Sequence, residues 1–167
     1  AQYLELTPVQ QGGKAYKILG ENGEYLILEN IQKTGWNQRQ YGHGLLVYRI
    51  DYPYSSVNLM DSPNNNKGKP AVTIVPADGL LISSYSINGT TVTNTDYPSS
   101  LGGDPYPGTG NVTELTSVKL NNSTLTTAPL YNIAEDTESG LVTLSFIDPN
   151  ATAIKSIATH SEANGHI

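Results

Sequence analysis

Short apolar runs of four to eight residues recur between clusters of Gly, Pro, Asn, Asp and Ser, and almost none has the spacing of an amphipathic helix. The pattern predicts strands over 3–6, 15–19, 24–30, 44–51, 71–76, 80–87, 90–95, 118–120 and 141–147. Asn-Gly separates two such runs in Glu21-Asn22-Gly23-Glu24 and again in Ile87-Asn88-Gly89-Thr90. A tight primed turn needs positive φ at both central residues, so each site predicts an antiparallel hairpin. The run 44–51 is nearly continuous in apolar character, as in a central strand covered on both faces, whereas 141–146 mixes continuous and alternating patterns. Two packed antiparallel sheets, an all-β sandwich with long Asn/Pro/Gly-rich loops, account for this best.

Residues 53–70 and 96–116 are rich in Asn, Pro, Gly and Ser and lack periodicity, so both read as loops. Loops of that length inside a domain are usually functional or disordered. After Ile147-Asp148-Pro149-Asn150 the strand pattern stops. The expected organisation is a sandwich over 1–150 and a polar tail or truncated linker over 151–167. Ala1 reads as a processed end, and both ends suggest a piece of something longer.

The 167 residues suit one domain with a real core, and the absence of cysteine removes disulfides, thiolate zinc sites and cysteine nucleophiles together. The net charge of -6 is unevenly placed: residues 1–70 hold seven Lys/Arg against six Asp/Glu, and 71–167 hold two against nine. An acidic surface repels phosphate backbones, which points away from nucleic acid and toward cations or basic surfaces. No apolar run approaches the roughly 20 residues of a membrane helix, so no membrane partner is expected.

Zinc proteolysis would need two imidazoles on one helical face beside a carboxylate, and that H-E-x-x-H arrangement is missing. The three histidines are His43, flanked by glycines before a strand, and His160 and His166 in the tail. G-x-S-x-G is missing too, and Glu29, His43, Asp51 and Asp78 carry no spacing that joins them. No catalytic residue is therefore assigned. Calcium takes oxygen ligands from loops, which makes Asp61 in Asp61–Gly68 and Asp104 in Gly103–Gly108 its candidate carboxylates. The first loop is not an EF-hand, because Asn66 and Val72 stand where glycine and glutamate belong. Turn residues satisfying their own backbone are the plainer reading of both.

Two buried-type strands, 24–30 and 44–51, flank a polar connection that holds the only tryptophan. Trp36 with Tyr41, Tyr52 and Tyr54 forms an aromatic group beside Asn and Gln amides, which could stack on sugar faces. Tyrosine is equally a favoured strand residue with a polar tip. Five Asn-x-Ser/Thr matches, at Asn88, Asn111, Asn121, Asn122 and Asn150, arise readily in so Asn- and Thr-rich a chain and carry no weight.

Four pieces in order, Glu24–Gln32 with Gly35-Trp36, Gly42–Tyr52, Val72–Gly79 and Gly103–Gly108, resemble the region carboxy-terminal to the catalytic domain in the immune inhibitor A family of secreted bacterial metallopeptidases. The likeness runs over about residues 3–148. It departs at Ile31, where the family often has Arg, and at Arg49, where it often has His. The resemblance implies a non-catalytic accessory β-sandwich that packs against and supports an upstream zinc endopeptidase domain of the same polypeptide. Zinc is then expected only in that absent domain, and none of its ligands maps onto this chain. The tail around Ala153–Ile157 resembles the join before bacterial carboxy-terminal export segments, which implies a secreted, periplasmic or cell-surface location. The alternative is a carbohydrate-binding or adhesion module using the exposed aromatic residues.

Overall fold

A computed structural model describes residues 3–51, 64, 68–81, 85–87, 90–92 and 97–146. Its elements in chain order are β1 (Tyr3–Leu6), β2 (Tyr16–Leu19), β3 (Tyr25–Ile31), β4 (Gly44–Ile50), β5 (Val72–Ile74), β6 (Tyr85–Ile87), β7 (Thr90–Val92), α1 (Tyr97–Gly103), β8 (Val118–Lys119), β9 (Thr124–Leu125), β10 (Tyr131–Asp136) and β11 (Leu141–Ser145). Every pairing is antiparallel: a larger sheet ordered β2-β3-β4-β5, a smaller one ordered β1-β11-β10, and the hairpins β6-β7 and β8-β9. The expected all-β class stands.

Both expected antiparallel pairings form, with Asn88 and Gly89 of the second outside the described residues. Asn22 and Gly23 adopt φ of 57° and 81°, and the Glu24 N–H donates to the Glu21 carbonyl at 3.1 Å. In the second hairpin Ile87 faces Thr90 across a two-residue connection.

Alternation along the strands builds the core. Leu26, Leu28 and Asn30 of β3 share a face with Leu45 and Val47 of β4, and Ile18 of β2 opposes Leu26. Against this face lie Leu6 of β1, Val142 and Leu144 of β11 and Ile133 of β10. Val118, Leu120, Leu125 and Leu130 complete the buried cluster. Side chains of this size contribute roughly 1.5–3 kcal/mol each when fully removed from water. Two sheets sharing one apolar interior make the arrangement sandwich-like.

Strand β4 is central in its sheet, as its apolar run implies, yet its outer face, Leu46, Tyr48 and Ile50, is only half buried. Strand β5 covers only one end of its free edge. Beyond it the Val75 N–H donates to the Val47 carbonyl at 2.8 Å, and Leu45 and Tyr106 exchange two bonds of 2.8 and 2.7 Å. Tyr106 is buried in the core, so the segment after α1 completes the edge. Gly44 permits this approach: its φ is +120°, and a Cβ there would collide with the Tyr106 carbonyl. Gly44→Ala is expected to cost at least about 2 kcal/mol through backbone strain and displacement of Tyr106, measured by urea denaturation.

Three expectations change. Residues 96–116 are not loop throughout, since α1 occupies 97–103. Leu80 and Leu81 fall outside any strand, and the strand expected to start there begins at Tyr85. Strands β9 and β10 form where none was expected. Among the described residues no helix is long and apolar enough to cross a membrane.

Candidate functional site

The connection from β3 to β4, residues 32–43, is fastened at both stems by one buried carboxylate. Gln32 Nε2 donates to Glu135 Oε1 at 2.7 Å, and His43 Nδ1 meets the same oxygen at 2.7 Å. Toward a carboxylate oxygen the ring can only donate, which calls for a hydrogen on Nδ1. Glu135 is almost wholly buried, whereas the His43 ring is 44% exposed. Gln32 also donates to Asn30 Oδ1 at 3.0 Å, which ties the loop to the core.

The loop has a second brace. A Cβ on Gly42 would stand 2.8 Å from the Gly102 carbonyl and 2.9 Å from Pro105, so backbone lies against backbone where the loop meets the end of α1. Beside this contact the Tyr41 ring packs edge-on to Tyr97 of α1, with centroids 6.2 Å apart and planes at 74°, the geometry that suits aromatic quadrupoles.

Between these anchors the chain makes a 3₁₀ turn at Gly35–Asn37, closed by Asn37 N–H to Thr34 carbonyl at 3.0 Å and Gln38 N–H to Gly35 carbonyl at 3.3 Å. Gly35 has φ +55° there. The turn holds the Trp36 indole wholly in solvent, at 101% relative exposure. Gly35, Trp36, Gln38 and Arg39 line an open depression of about 520 Å³. An aromatic plate flanked by an amide and a guanidinium can stack on an apolar ring face while bonding hydroxyls or carbonyls at its edge.

Of the aromatic candidates, Trp36 and Tyr41 thus lie on one loop and are exposed, while Tyr52 and Tyr54 lie outside the described residues. Asp61 lies outside them too. Asp104 turns inward: it is 5% exposed, and its Oδ1 has no partner among the described residues. Burial and the nearby Asp78 carboxylate push its pKa up to about 6. Tyr106 is pushed up to about 12, first by burial and then by Asp78.

Glu29, His43, Asp51 and Asp78 do not assemble. His43 is on Glu135, Asp51 accepts from Asn121 Nδ2 at 2.7 Å, Asp78 accepts from the Leu80 N–H at 2.9 Å, and Glu29 sits beside Tyr48. Among the described residues no group of three or more His, Cys, Asp or Glu is placed to hold a metal ion. Sequence reasoning passed over Glu135, which stands 92 residues from His43 and follows no motif.

The chain matches none of the protein-family models, curated proteins or solved structures with which it was compared.

Proposed function

We propose that this chain is a binding module that takes carbohydrate on the 32–43 loop, with Trp36 as the stacking platform, Tyr41 as a second aromatic surface and Gln38 and Arg39 as hydrogen-bond donors. One observation carries the reading: a fully solvated indole is presented by a loop whose two stems share a single buried carboxylate. An indole left in water serves no packing purpose, and holding its loop in place lowers the ordering cost of binding. Affinity electrophoresis against a panel of soluble polysaccharides tests this. Trp36→Ala is expected to abolish retardation with the melting temperature unchanged, because the side chain touches no core. Glu135→Ala is expected to weaken retardation by freeing both stems. Equal migration of parent and Trp36→Ala on every retarding polysaccharide would end the reading.

A second proposal is the accessory role beside an upstream zinc endopeptidase, in a secreted or periplasmic setting. Its support is that three of the resembling pieces meet in space. β4 pairs with Tyr106 through Leu45, the Ala77 N–H reaches the Asp104 carbonyl at 2.9 Å, and the Asp78 N–H reaches the Gly103 carbonyl at 3.2 Å. Casein hydrolysis by the longer parent polypeptide and none by this chain, each supplied with zinc, is the expected result. Hydrolysis by this chain alone contradicts it.

A further inference from the structure

Between the outer face of the larger sheet and α1 lies a cavity of about 170 Å³, walled by Ile31, Leu46, Ile74, Leu101 and Pro105, with Gln40, Gly42 and Asp104 also in its lining. Sites for drug-sized molecules run to about 300–1,000 Å³. This one has room for a single side-chain-sized group. Its chemistry is mixed, because four aliphatic side chains and a proline ring share the lining with the Gln40 amide and with Asp104, an acidic residue that is 95% buried.

Three kinds of occupant can be weighed. A purely apolar group would match the walls and leave Asp104 as costly as before. A divalent cation such as calcium wants six to eight oxygen ligands, and the side chains of the cavity lining offer one carboxylate and one amide among mostly aliphatic groups. A methylene chain ending in an ammonium matches both parts, its carbons against the walls and its three donors facing the carboxylate.

We infer that this cavity binds a primary alkylammonium group, the end of a lysine side chain or of a free amine, with its methylenes against Leu46, Ile74 and Leu101 and its charge on Asp104. Asp78 lies near Asp104 without lining the cavity, and its charge makes the potential around Asp104 more negative. The acidic balance of residues 71–167 draws cations to this half of the chain. The cavity shares Gln40 and Gly42 with the 32–43 loop, but the assignment does not involve Trp36 and holds whether or not Trp36 takes sugar.

Isothermal titration of the full chain at pH 7.5 and low salt, with n-butylammonium, Nα-acetyl-lysine amide and Nα-acetyl-norleucine amide, tests it. Butylammonium is expected to bind saturably, and Asp104→Asn to lose at least about tenfold in affinity while remaining folded. Saturable binding of the lysine amide too, at least tenfold tighter than the norleucine amide, assigns the site to lysine side chains. Binding of butylammonium alone assigns it to free amines. No binding of either amine, a norleucine amide as tight as the lysine amide, or an Asp104→Asn variant that binds like the parent, overturns the inference.

Discussion

Asn30→Leu is expected to lower folding stability by about 2–4 kcal/mol, although the new side chain is similar in size and the site is fully buried. Asn30 is the polar clamp between the two sheets. From β3 its Nδ2 donates to the Leu6 carbonyl of β1 at 2.6 Å and to the Gly140 carbonyl, before β11, at 2.7 Å. Removing the amide leaves two interior acceptors each short of a donor and strips Gln32 of one of its two partners. Asn30→Asp is expected to fall below Asn30→Leu at neutral pH, since a carboxylate cannot donate and would face two carbonyl oxygens in a dry interior. Urea denaturation at pH 7 measures the order Asn, Leu, Asp. Leucine equal to asparagine would show that the clamp contributes nothing.

Asp104→Asn is expected to act in the opposite direction, raising stability by about 1–3 kcal/mol at pH 7 and by close to nothing at pH 4. A folded value of about 6 against about 3.9 for a free aspartate means that the folded chain holds this proton more tightly than the unfolded chain does, a difference worth about 3 kcal/mol. The contribution is therefore fully present below about pH 4. It is lost as pH rises toward 6 and stays lost above. Burial is the first cause and the Asp78 charge the second, while Tyr106, pushed up to about 12, remains neutral across this window. Asparagine cannot ionise and escapes the loss. Denaturation at the two pH values reads it, and a variant equal to or weaker than the parent at pH 7 contradicts the assignment. A residue that lowers stability where it stands is also what a binding site requires, which links this result to the amine titration.

The strands were legible where alternation and Asn-Gly turns agree, as in β2, β3 and β4. Strand β10 was not, because its period is broken: the register slips between Tyr131 and Ala134, Asn132 takes φ 51°, and within the strand Ile133 is the one fully buried apolar side chain. The helix α1 was hidden by its composition, Tyr-Pro-Ser-Ser-Leu-Gly-Gly, which disfavours helix. Its last two glycines are explained by neighbours that no local pattern reports: Gly102 lies against Tyr41 and Gly42, and a Cβ on Gly103 would stand 2.5 Å from Asp78 Oδ2.

The site divides in the same way. Trp36 and Tyr41 were visible as aromatic residues in a polar connection, since exposure follows from local context. The stapling by Glu135 depends on a contact across 92 and 103 residues, which only the fold brings about. Asp104 was noticed for the wrong neighbourhood. A Gly/Pro-rich stretch looks like a surface turn, yet here it pairs with β4 and drives Tyr106 into the core.

Trp36 is the only tryptophan in the chain, so its fluorescence reports on the proposed binding surface and nothing else. Titration with the polysaccharides that retard the protein in affinity gels should shift its emission to shorter wavelength and shield it from a soluble quencher, with saturation at the concentrations that cause retardation. An indole that stays as red-emitting and as quenchable at saturation as in buffer would place the ligand elsewhere and contradict the account.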